Sequence, residues 1–223
     1  MFAYSLSGLQ LDESAGGGVT EVEENETTAR SATYQVLAGL LATPNDDLAS
    51  RATDGRLVKD FDQAIELLPF SWEPGEIETA GLDDPDALAA AQAAAVGSAA
   101  DSVLCERRWA SDADHAIADA ERSYQYFGLG APADAEVPAD HLNAQLDFMQ
   151  FVTFKEAAAS SPRLGRSFQR AQRDFLANHL NAWMPAMLAS PELASAPAWT
   201  QWVIGRVASF VAADNDYAAS QGG

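Results

Sequence analysis

A single cysteine, Cys105, in 223 residues leaves no disulfide scaffold to build on. Lysine is nearly as scarce: Lys59 and Lys155 are the only two among 13 basic residues, against 33 aspartates and glutamates, for a formal net charge of −20. A surface of that sign repels a polyanion, and phosphate contacts need concentrated lysine and arginine, so nucleic-acid binding is not expected. No apolar run approaches the roughly 20 residues that cross a bilayer, which argues against membrane insertion. The N-terminus begins apolar but has no basic region before it, so it does not read as a secretory signal. With no export signal and no disulfide pair, the expected compartment is the cytoplasm.

What is present is acid and helix. The acid is spread along the chain rather than gathered in one tail, and such a surface holds water and counterions. That points to a halophile's cytoplasm, or to a partner bearing arginines. Hydrophobic residues make up 48%, enough for a proper core in one domain or two small ones sharing an interface.

The periodicity is helical almost throughout. Thr27 or Thr28 is expected to cap a first helix reaching about Ala42, with Tyr34, Leu37, Leu40 and Leu41 on one face and Pro44 as its stop. Asp46 to Leu68 reads as one or two helices, with a break at Gly55, and Pro69 to Pro85 as a loop carrying Trp72. Pro85, flanked by Asp83, Asp84 and Asp86, starts an alanine-rich helix expected to run to about Trp109. Ser111 is the expected cap of a helix ending near Phe127 and Gly128, and Leu129 to Val137 reads as a linker. Pro138 opens a strongly apolar helix to about Ala159, and Ser161 or Pro162 the next, which Pro185 should kink or end. The last helix is expected from Pro197 to Ala213. The fold class is therefore all-α, a bundle of six to eight helices, with no alternating strand pattern and no repeat. The implied organisation is a tail (1–26), an N-terminal helical subdomain (27–128), a hinge linker (129–137), a C-terminal helical subdomain (138–213) and a second tail (214–223).

Enzyme signatures are missing. There is no P-loop, no His-Glu-x-x-His, and no Glu-x-x-His pair for a di-iron site, so no metal, cofactor or catalytic residue is assigned. Cys105 reads as a helical core cysteine, although Arg107 and Arg108 are near. His115 sits at a helix start and is expected to be exposed; His179, between Phe175 and Trp183, reads as a hydrogen-bonded packing residue. His141 follows Asp140 just after Pro138, and on spacing alone Asp140 simply satisfies free N–H groups of the first helical turn.

Two stretches carry a likeness. Val137-Pro138-Ala139-Asp140-His141-Leu142-Asn143-Ala144-Gln145-Leu146-Asp147-Phe148-Met149 and Phe175-Leu176-Ala177-Asn178-His179-Leu180-Asn181-Ala182-Trp183-Met184-Pro185 resemble, in order and spacing, the Pro-x-Asp-His-Leu turn and the Phe-Leu-x-x-His-Leu-x-x-Trp-x-Pro helix of the TorD/DmsD/NarJ family of redox-enzyme maturation chaperones. Tyr34 to Leu41 with Pro44 looks like that family's first helix, and Tyr124 to Leu129 is similar to its segment before the hinge. The likeness covers about residues 28 to 212 and is sharpest from 124 to 185. One departure stands out. Many members carry a longer mid-chain block with a Tyr-x-x-Leu-Phe core, whereas Val103 to Ala110 here leads straight into Ser111, so binding residues from that block are not carried over.

The resemblance implies a TorD-like, non-catalytic chaperone. It would bind the twin-arginine leader, or another N-terminal segment, of a molybdopterin-containing oxidoreductase catalytic subunit precursor until cofactor insertion is complete, the default client being a dimethyl sulfoxide or trimethylamine N-oxide reductase and the other candidates nitrate reductase and related dehydrogenases. Asp140 and His141 are then expected at the floor or hinge of a peptide groove, Asp140 accepting from a leader arginine and His141 orienting the loop or contacting the peptide, with Tyr124, Phe127 and Leu142 as walls. Exchange of helices across the 129–137 hinge would make a homodimer. The alternatives are a helical metal-dependent hydrolase using Asp112, Asp114, His115 or Asp140 and His141, and an acidic helical adaptor.

Overall fold

A computed structural model describes residues 21–97, 101–130 and 137–221, with side chains described from residue 25 onward. Most of the expected linker therefore lies outside the described residues, as do residues 1–20 of the expected N-terminal tail. The described elements are α1 (Glu21–Leu40), α2 (Asp46–Thr53), α3 (Arg56–Ile65), α4 (Pro85–Val96), α5 (Ala113–Tyr126), α6 (Leu142–Ala157), α7 (Pro162–Phe175), α8 (Asn181–Leu188), α9 (Pro191–Ala194) and α10 (Ala198–Ser220). A π turn, Leu176–Leu180, joins α7 to α8 in one continuous helix. The fold is all-α, and no strand occurs among the described residues. The four-residue α9, capped by Ser190, is the short helix that periodicity does not reveal.

Local chemistry explains most boundaries. Asn45 caps α2 by accepting from the Leu48 N–H, and Gly55 takes φ +83° between α2 and α3, where a β-carbon would be strained. Asp84 caps α4 by accepting from the Ala87 N–H, with Pro85 in the first turn. Asp112, rather than Ser111, caps α5.

Four expectations need correction. Glu21–Glu26 is helical, not tail: α1 starts six residues before Thr27. α4 stops at Val96 rather than near Trp109. Gly97 adopts φ +83°, and a β-carbon there would lie 3.1 Å from the Asp101 carbonyl oxygen. Cys105 accordingly lies in extended backbone, not in a helix; it is buried, and burial pushes its thiol up to about 11. Finally, α10 continues to Ser220, so 214–220 is not a tail. Asp214 is fully buried and receives Arg30 Nε at 2.6 Å and the Tyr34 hydroxyl at 2.6 Å. That buried cluster fastens α10 to α1.

The 66–84 loop is tied onto α10. Trp72 donates to Ser209, Trp202 donates to the Glu76 carbonyl, and Arg206 donates to the Pro74 carbonyl. α1 packs most extensively on α6, and α6 in turn on α7. The α1–α6 contact and the turn that leads into α6 position the site.

Candidate peptide groove and its buried joint

The turn before α6 is held by a short ladder. The Glu106 N–H donates to the Asp140 carbonyl at 2.9 Å and the Leu142 N–H to the Leu104 carbonyl at 2.8 Å, with Cys105 and His141 facing each other as an antiparallel bridge. Asp140 is fully buried. Its carboxylate accepts from the Arg107 backbone N–H at 2.9 Å and from Arg107 Nε at 2.8 Å, and the Arg107 Nη2 closes a bidentate pair. The carboxylate in turn raises the Arg107 pKa, first through the hydrogen bond. The expectation that Asp140 receives an incoming arginine therefore meets a carboxylate already filled by one from its own chain.

His141 is the N-cap of α6. Its Nδ1 accepts from the Asn143 N–H at 3.2 Å, which requires an unprotonated Nδ1. Burial lowers its pKa from the ordinary 6.5 to about 4, Arg107 adds to the lowering, and Asp140 opposes it. Leu142 is fully buried in the core. These three motif residues form a joint between two chain segments, with their polar groups satisfied inside the protein.

The joint continues into a polar network. Glu106, buried beside it, receives Gln145 Nε2 at 2.5 Å and lies 2.9 Å from His179 Nδ1. Gln145 Oε1 accepts from Trp183 Nε1 at 3.0 Å, and His179 Nε2 lies 3.4 Å from Asp119. The π turn carries His179 into this position. The hydrogen-bonded packing role expected of His179 is what the geometry gives it, while its partner Glu106, 73 residues away, was not foreseen.

Two cavities lie beside the joint, each of about 370 Å³. The first is a groove between α1 and α6, with Thr28, Ser31, Ala32 and Gln35 on one side and Ala144, Asp147, Phe148, Phe151 and Phe154 on the other. Tyr124, Leu129 and Ala139 close its end. The Tyr124 hydroxyl donates to the Ala139 carbonyl at 2.7 Å, and Ser31 Oγ donates to the Gln150 carbonyl at 3.0 Å, so both walls are braced. Asp147 is the one acid among the described residues of this lining, and burial raises its carboxyl from 3.8 to about 6. The second cavity holds Phe127 with Asp119, Arg122, Arg170, Asp174 and His179. Phe148 lines both, its ring 4.9 Å from Tyr124 and 6.0 Å from Phe127.

Of the five expected site residues, Tyr124 lines the first cavity and Phe127 the second, while Asp140, His141 and Leu142 line neither. Asp147, Phe151 and Phe154 line the first cavity without being among the expected site residues. Their signal was present: positions 144, 147, 148, 151 and 154 form one helical stripe that carries a single acid. Asp112, Asp114 and His115 are exposed at the start of α5, and no group of described residues could hold a metal ion. No described helix is long and apolar enough to cross a membrane.

The family model described as nitrate reductase delta subunit matches residues 104–189, which span the joint, α6 and the π turn. The chain is 34% identical over 179 residues to the perchlorate reductase assembly chaperone protein of Dechloromonas aromatica (strain RCB), an alignment covering 74% of this chain and 79% of that one. It is 38% identical over 65 residues, 29% of this chain and 34% of the relative, to the chlorate reductase assembly chaperone protein of Ideonella dechloratans. The same identity and coverage hold for the selenate reductase assembly chaperone protein of Thauera selenatis. No solved structure matches. These relatives are assembly chaperones rather than catalysts, and the chain belongs with them to the NarJ/TorD-like family of molybdoenzyme maturation chaperones.

Proposed function

We propose that the chain works in the cytoplasm, holding the N-terminal twin-arginine leader of a molybdopterin-containing reductase subunit until its cofactor is inserted and export can begin. The names of the relatives favour an oxyanion reductase as client over the dimethyl sulfoxide or trimethylamine N-oxide reductase expected at first. The observation that carries the reading is the α1–α6 groove, an apolar trough with one acid in it. A helical leader laid there would cover the half-buried Phe151 and Phe154, as amphipathic helices do in apolar grooves. A leader arginine would find in Asp147 a carboxylate that no other described residue ion-pairs, and the bond would be charge-assisted. Burial favours the protonated acid and arginine the ionised one, so binding should strengthen as pH rises through about 6.

Titration calorimetry tests the reading with a synthetic 20-residue peptide bearing two consecutive arginines followed by leucine and alanine. The expected result is micromolar binding, weakened about tenfold when glutamines replace the arginines. Equal affinity for both peptides, or no heat from either at millimolar concentration, contradicts it.

A further inference from the structure

The groove has a candidate occupant in the chain itself. Residues 1–11 contain no charged side chain, although 21% of the chain is charged; the first acid is Asp12. Phe2, Leu6 and Leu9 stand at i, i+4 and i+7, the spacing of an apolar helical stripe. These residues precede α1, whose own face, from Thr28 to Gln35, is one wall of the groove. The distance is manageable. From Glu21 to Gln35 a helix rises about 21 Å, whereas the nine residues 12–20 extend up to about 30 Å. Gly16-Gly17-Gly18 within that connector permits a reversal of direction.

We propose that residues 1–11 dock in the α1–α6 groove as a built-in competitor of the client segment, their Phe2, Leu6 and Leu9 stripe against Phe148, Phe151 and Phe154. The inference rests on the reading that this groove holds the client. The segment carries no arginine, so it cannot match the bidentate bond that a client arginine can make to Asp147, and the client displaces it by that charge-assisted bond. An empty chaperone then covers its own aromatic stripe, and only a segment that is both apolar and basic opens it. A groove occupied by the chain's own segment lowers the apparent affinity by the fraction of molecules left open.

The test uses the full chain with a photo-cross-linking amino acid at position 2, prepared as an equal mixture of light and heavy isotopic forms. The inference predicts cross-links to residues 142–157 within one chain, suppressed by excess of the two-arginine peptide. It also predicts that the Phe2→Ser, Leu6→Ser, Leu9→Ser variant binds that peptide about fivefold more tightly than the native chain. Cross-links between light and heavy chains would make a second copy the occupant and overturn the inference. So would normal peptide binding with no cross-link to α6 and no gain in the triple variant, an outcome that leaves the proposed function standing. Cross-links that persist in peptide, with no peptide affinity in either form, keep the docking and overturn the client reading instead.

Discussion

Two carboxylates on the same stretch of chain, Asp140 and Asp147, have opposite surroundings. Asp140 is fully buried and saturated by Arg107 and by backbone. Asp147 lines an open apolar groove, where burial holds its carboxyl near 6 and no other described residue pairs with it. The first is the conspicuous motif residue, the second an unremarked acid inside an apolar helix. The lesson is that a satisfied buried charge builds a shape, whereas a charge kept available at the edge of an apolar surface can read a ligand. The Pro-x-Asp-His-Leu turn therefore acts on the groove from below. It fixes where α6 begins, and so where the stripe 144–154 faces.

The largest expected effect comes from breaking the joint. Arg107→Ala leaves the Asp140 carboxylate buried and uncompensated, and should cost about 3 kcal/mol of stability by urea unfolding. Peptide affinity should be unchanged in the fraction that remains folded.

Next is the pH response of the same joint. His141 is held near 4 in the folded chain and lies near 6.5 unfolded. As pH falls below 6.5 the unfolded chain gains a proton that the folded chain refuses until about 4. Stability is therefore full above 6.5 and is lost across that window, by up to about 3 kcal/mol. His141→Asn keeps a capping acceptor without the titration, so its unfolding free energy should fall less than the native chain's between pH 7 and pH 5.

The groove should behave in the reverse way. Phe151 is only half-buried, and Phe151→Ala should lower peptide affinity about tenfold while costing less stability than a core truncation, as calorimetry and thermal unfolding would show together. Should the substitution unfold the chain yet spare binding, the roles of groove and joint would be exchanged.

The smallest effect separates the two regions by salt. Twenty excess negative charges repel one another at low ionic strength, whereas the pair of buried Asp140 with half-buried Arg107 is screened less. Between 0.1 and about 2 M KCl the chain should gain about 1 kcal/mol, several degrees in Tm, while the arginine-dependent part of peptide affinity weakens.

Much of the fold was legible because local signals and packing agree. Pro44, Gly55, Asp84 with Pro85, and Gly128 each mark an end that the structure keeps. The misses have two causes, a distant tertiary partner or a misleading local run. α10 runs on to Ser220 because Asp214 meets Arg30 and Tyr34, which lie some 180 residues earlier. Gly97 was visible as a stop, but the alanine run around it favoured a longer helix. In the site, residues 138–142 were legible as a motif but not as a joint, because Arg107 lies 33 residues away from Asp140. Asp147 was hidden by its own neighbours, Leu146 and Phe148, which make that turn of α6 look like plain core.

The most direct measurement sets the two carboxylates against each other: calorimetry of the two-arginine peptide on Asp147→Asn and Asp140→Asn, with circular dichroism on both. Asp147→Asn should fold at least as well as the native chain at neutral pH and lose about tenfold in affinity. Asp140→Asn should lose stability and keep its affinity per folded molecule. A folded Asp140→Asn chain that no longer binds, beside an Asp147→Asn chain that binds normally, would contradict the account and return the arginine to the motif aspartate.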